Sequence, residues 1–181
     1  MVGRSGNHIK AQEGRLKRLA ANIDALARKD AILLGKARDT AELRRAAAAE
    51  MHAICLGFVD SVNQLLSKAS VVIDPPAYSE ASFKDGSINL IQINASGRIL
   101  QISFEGTQEL VSTEDFRVPY TISGTVRAFN QKMLDKDLIE EQLIFFTLEK
   151  ARGMWRFFDA RTYRSGAFDQ EYLVSLMEQL I

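Results

Sequence analysis

Two groups of residues in this chain have types and spacings that could do chemistry. His52 and Cys55 are three apart, which on a helix puts them on neighbouring surface, as a nucleophile with its base or two metal ligands would be. A base of that kind needs a group to orient it, and no acidic residue stands at helical spacing from His52. The one other histidine is His8. Read without chemistry, Cys55 is a small hydrophobe at the edge of a core and His52 sits at its rim.

The second group follows a different period. Asp159, Arg161 and Tyr163 continue the alternation begun by Trp155 and Phe157, so a strand carried on through them projects all five from one face. With Tyr120, Arg127 and Phe145 they form the candidate ligand-binding set. It is suited to a small anion or carbonyl compound held in a cavity under a curved sheet, with Tyr120, Phe145, Trp155 and Phe157 as the lining. The plainer account is an Asp159 to Arg161 charge pair at a strand end, worth at most ~1 kcal/mol if exposed. No Gly-rich phosphate loop, nucleophile elbow, zinc-protease helix or calcium loop occurs, so no catalytic residue, metal ligand or cofactor is assigned.

The elements that must position these residues are read from the apolar periods. Leu16, Leu19, Ile23 and Leu26 recur at alternating gaps of three and four, with steps of seven back to Ile9 and on to Leu33. As heptads, Ile9, Leu16 and Ile23 share one seam position and Leu19, Leu26 and Leu33 the other, with Ala20 and Ala27 widening the stripe. Those alanines and Asn22 interrupt the flanking charges of a plain zipper, which favours packing on another helix of the same chain. Gly35 reads as a left-handed cap, and Asp39 with Glu42 as a capping box opening a second helix. Its wider face carries Leu43, Ala47, Met51, Ile54, Phe58, Val62 and Leu65, with Cys55, Val59 and Leu66 along the edge, so it is expected to be buried on both sides. One continuous helix through Gly35 is the competing option.

Residues 70–86, with two of the chain's three prolines, read as a linker. Strand signals follow. Ser87 to Asn94 and Arg98 to Glu105 flank the loop Ala95-Ser96-Gly97; Tyr120 to Gln131 pairs with Glu141 to Glu149 through a loop at Asp135 to Asp137; a turn at Lys150 to Gly153, with Gly153 at positive φ, leads into Met154 to Arg161. Both faces of the last two strands are apolar, which calls for cover on both sides. A closing helix, opened near Asp169, carries Tyr172, Leu173, Leu176, Met177 and Leu180.

The fold expected is therefore α+β: an N-terminal helical hairpin or long helices over residues 1–69, then, within 87–181, a curved antiparallel sheet of about five strands and a C-terminal helix sharing one core with the second helix. In order of elements it resembles cystatin-like, nuclear-transport-factor-like and helix-grip architectures, with no motif in common.

Composition narrows the function classes. Net charge is zero, yet Met1 to Ala69 holds 12 basic against 7 acidic residues and the remainder 11 against 16. Opposite charge lets the two parts complement each other within a molecule or dimer. Apart from Lys68, the cations of this part run from Arg4 to Arg45, a stretch with no Phe, Tyr or Trp to stack on bases and with Glu13, Asp24, Asp30, Asp39 and Glu42 interleaved, which argues against nucleic acid as partner. No apolar run approaches the ~20 residues of a membrane span. Met1 to Lys10 lack the apolar centre of a secretory signal, and Val2 stands where myristoylation needs glycine, so a cytoplasmic location is expected.

The functional expectation is a non-enzymatic interaction or assembly protein, forming a homodimer or receiving a protein partner. A small-ligand binder or enzyme with a cavity between sheet and helices is the alternative, and an electrostatic nucleic-acid binder ranks third.

Overall fold

The computed structural model describes residues 5–111, 118–149 and 152–181. Residues 1–4, 112–117 and 150–151 lie outside these, the last pair being the Lys150-Ala151 part of the expected turn, as does the side chain of Ile9. The element order is α1 (Ser5–Asn63), β1 (Val71–Asp74), a 3-10 turn (Glu80–Ser82), β2 (Asn89–Ala95), β3 (Arg98–Val111), β4 (Tyr120–Phe129), α2 (Gln131–Asp135), β5 (Glu140–Glu149), β6 (Arg152–Asp159), β7 (Arg164–Ala167) and α3 (Gln170–Glu178). The class is α+β. Met1–Thr40 and Ala41–Ile181 form two compact units.

Within Met1–Thr40 the described residues, from Ser5 on, are helical, and the expected stop at Gly35 does not occur, because α1 runs on through Gly35 and Asp39. One glycine costs a helix about 1 kcal/mol relative to alanine, and the good helix formers beside it, Ala31, Lys36, Ala37 and Arg38, outweigh that. Of the two expected alternatives, a hairpin or long helices, the long helix is the one formed. Leu16, Leu19, Ile23, Leu26 and Leu33 are 55–59% exposed, and the described residues of this unit form a single helix, so the unit itself holds no second helix for the stripe to pack on.

Within Ala41–Ile181 one core holds the fold. Ala47, Ala48, Met51, Cys55, Phe58 and Val59 of α1 meet Ile91, Ile93, Leu100, Ile102, Ile122, Val126, Ile144 and Trp155 of the sheet. This face of α1 is the one its period marks out, but it is buried against the sheet side only, and Leu65, beyond the helix end, is fully in solvent. Asn63 ends the helix by copying a strand: its side-chain amide donates to the Val71 carbonyl at 2.8 Å and its carbonyl accepts from Val71 N at 2.8 Å.

The sheet has seven strands rather than five, each antiparallel to its neighbour in chain order. The extra two are short. β1 lies inside the segment expected to be a linker, and β7 follows the turn after Asp159. The expected loop before β5 contains α2, whose first turn is capped by Asn130 accepting from Met133 N at 3.0 Å. Between β2 and β3, Ser96 (φ 53°) and Gly97 (φ 86°) both lie in the left-handed region, the two-residue turn that matches strand twist.

Of the cover called for on both faces of the sheet, the helices supply that of one face. Both α1 and α3 join the same cluster, with Tyr172, Leu173, Leu176, Met177 and Leu180 all buried there. Asp169 caps α3 by accepting from Tyr172 N at 2.9 Å. The other face carries a smaller cluster, Tyr120, Phe145 and Phe158 with Val118 and Leu143. No described helix is long and apolar enough to cross a membrane.

Candidate functional site

The sheet divides the candidate set. Tyr120 and Ile122 would share a face under strict alternation, but the register slips between them, so Tyr120 pairs with Thr147 and Ile122 with Phe146. Adjacent residues of β5 point to opposite faces, so this bulge turns Tyr120 away from the core and against Phe145, ring centroids 4.6 Å apart. Trp155 faces the other way. Its indole packs edge-on to Phe104 and Phe146, and its Nε1–H donates to the Ala47 carbonyl at 2.8 Å. Phe157, on the same face as Trp155, lies flat against Tyr172 at 4.2 Å. The lining of Tyr120, Phe145, Trp155 and Phe157 therefore belongs to two faces of one sheet.

The polar members are engaged locally. Arg127 reaches Glu141 across the β4–β5 pair at 2.5 Å. β6 ends at Asp159, so the alternation stops before Arg161 and Tyr163. The Asp159 carboxylate accepts from Arg161 N–H at 3.0 Å, and this hydrogen bond, ahead of an opposing burial effect, holds its carboxyl below the ordinary range. Arg161 lays both terminal nitrogens on the Glu140 carboxylate. Tyr163 takes the positive φ of the turn and meets the Phe158 ring edge-on at 6.2 Å. Asp159, Arg161 and Tyr163 thus fasten the β6–β7 turn.

His52 and Cys55 are both buried. His52 Nε2 lies 2.8 Å from the Pro75 carbonyl oxygen, which can only accept, so Nε2 carries the proton. The imidazole also stacks on Tyr78 at 5.5 Å. Burial pushes the Cys55 thiol up from 9.0 to about 12, so it stays protonated at neutral pH and is no nucleophile. Among the described residues no three His, Cys, Asp or Glu side chains gather as metal ligands.

Two surfaces have the character of a site, and spacing in the sequence exposed only one of them. The first is the seam of Leu16, Leu19, Ile23, Leu26 and Leu33, legible from its heptads. The second is a groove of about 380 Å³ between α1, α3 and the β1–β2 edge, lined by Phe58, Val62, Val71, Ala95, Val174 and Met177 among others and almost wholly apolar. Its lining comes from residues far apart in the chain, so no local pattern could announce it. A further depression, about 480 Å³, lies on the face of Tyr120, Leu143, Phe145 and Phe158.

Compared with known proteins, the chain matches no family model, no curated protein and no solved structure, so its likeness in element order to cystatin-like and helix-grip architectures carries no further.

Proposed function

We propose that this chain is a non-enzymatic interaction or assembly protein whose working surface is the apolar seam of α1. One observation carries the reading: five large hydrophobes at heptad spacing, each more than half exposed, lie on one stripe of a helix. Fully burying a leucine or isoleucine is worth about 1.5–3 kcal/mol, so a stripe of five is a strong site for a second apolar helix and a costly surface to leave wet.

Photo-cross-linking in cells tests it. Benzoylphenylalanine in place of Leu19 or Leu26 is expected to give a discrete adduct, whereas the same group at Ala21 or Arg28, on the opposite side of the helix, gives none. Equal labelling from both sides, or no adduct from either, refutes the reading.

The apolar groove favours a second reading, a small-ligand binder. Val174 is partly exposed at its mouth, so Val174→Trp fills the groove without entering the core. Fluorescence titration with an anilinonaphthalene sulfonate is expected to show binding about tenfold weaker in the variant, since displaced contact area is what the dye uses. Unchanged affinity removes this reading.

A further inference from the structure

We propose that residues 16–34 of α1 pair with the same residues of a second copy of the chain, in a parallel, in-register, two-stranded coiled coil whose register is set by Lys29 and Asp30. The proposal rests on the interaction reading above and names its partner.

The seam itself selects strand number. Written as heptads a to g, the a positions are Leu16, Ile23 and Asp30 and the d positions Leu19, Leu26 and Leu33. Only Ile23 of the three a positions is β-branched, but together with leucine throughout d and a single polar residue at a it favours two parallel strands. The flanks then select direction. The g positions are Arg15, Asn22, Lys29 and Lys36, and the e positions Ala20, Ala27 and Leu34. In a parallel pair each g faces an e of the other strand, so Arg15 lies over the partner's Ala20 and Lys29 over the partner's Leu34. Long basic side chains can lay their stems on such apolar neighbours and keep the charge in water. In an antiparallel pair g faces g, which sets Arg15 against the partner's Lys36 and seals Asp30 against the partner's Leu19. Like charges then meet at both ends of the seam.

Asp30 is the one polar residue among these a and d positions. In the parallel pair the hole that receives an a-position side chain is bordered by the preceding g residue of the facing helix, which for Asp30 is the partner's Lys29. Two Asp30 carboxylates and two Lys29 ammonium groups share that layer and neutralise each other. A shift by one heptad would seat each carboxylate against Ile23 or beyond the seam, so the layer fixes register as a single polar a position does elsewhere. The basic character of this segment is thus spent at the seam's border, where no partner carboxylate is needed except at Asp30.

Sedimentation equilibrium and native mass spectrometry of the full chain at micromolar concentration are expected to give twice the chain mass. Ile23→Cys should close an interchain disulfide under mild oxidation, and Ala21→Cys, on the outside, should not; Cys55 is buried and does not compete. Lys29→Glu gathers four carboxylates in one layer and should yield monomer, and adding Asp30→Lys should restore the dimer. The substituted side chains are exposed, so the helix survives, which unchanged helical circular dichroism would confirm. A wild-type monomer, an Ile23→Cys chain that does not cross-link, or a charge swap without rescue each overturns the proposal. A monomer that still gives a discrete seam adduct to another polypeptide overturns self-pairing alone; a monomer with no adduct removes the interaction reading as well.

Discussion

Replacing Arg44 with alanine is expected to lower the unfolding free energy by about 3 kcal/mol, the scale of losing several hydrogen bonds from one charged donor together with the packing of its buried stem. Arg44 is 8% exposed although it carries a permanent charge. Its Nε donates to the Thr121 carbonyl at 3.1 Å and to the Thr121 hydroxyl at 2.9 Å, Nη1 reaches both Asp85 oxygens at 3.1 and 3.2 Å, and Nη2 donates to the Thr107 carbonyl. One side chain of α1 thereby serves β3, β4 and the segment before β2. Without it, Asp85 is half-exposed and rehydrates cheaply, and the Thr121 carbonyl still accepts from the Thr107 hydroxyl at 3.1 Å, so the loss falls on the buried Thr121 hydroxyl and the Thr107 carbonyl, each deprived of a charged donor. Arg44→Lys keeps the charge and lacks the fork, so it should recover less than half of the loss. Urea unfolding followed by Trp155, the one tryptophan, measures both. A loss below about 1 kcal/mol, the scale of an exposed pair, would mean that the cluster does not secure α1 to the sheet.

None of this cluster was legible in the sequence. Arg44 read as one more cation in a basic segment, because its partners lie 41 to 77 positions away. What could be read was local and periodic. The burial of α3 matches its apolar face residue for residue, and the 41–63 face of α1 was marked by the same period, since in both cases the stripe fixes what must be hidden. Where one residue breaks the period, inference fails: the bulge beside Thr121 sends Tyr120 to the face of Phe145, away from Trp155 and Phe157, while Phe145 is set apart from those two by the β5–β6 register alone, in which Trp155 pairs with Phe146. The helix stripe shows a different limit. Its spacing was plain, but spacing says only that a helix needs cover, and a partner within the chain or from another copy satisfies it equally.

Gly153 and Gly124 show how a glycine's reason can escape sequence reading. A turn glycine with positive φ was expected at 153, but Gly153 belongs to β6, and a Cβ there would run into the Phe146 ring, whose Cε1 stands 2.7 Å away. A ring can swing. Gly124 offers no such relief. In the middle of β4 it pairs with Phe104, and a Cβ there would overlap the Ser103 carbonyl oxygen and come within 2.8 Å of Phe104 Cα. These are backbone atoms of a central strand, hydrogen-bonded on both edges, so the clash is relieved only by parting β3 from β4 or bending both. Overpacking a core commonly costs 1–3 kcal/mol when side chains can yield, and here the yielding part is the ladder, so Gly124→Ala is expected to cost about 4 kcal/mol. Gly153→Ala, which displaces one ring, should cost less, about 2 kcal/mol. Chemical denaturation of the two variants side by side decides it. Should Gly124→Ala prove the milder of the two, the close approach of β4 to β3 would not be what demands a glycine at this position.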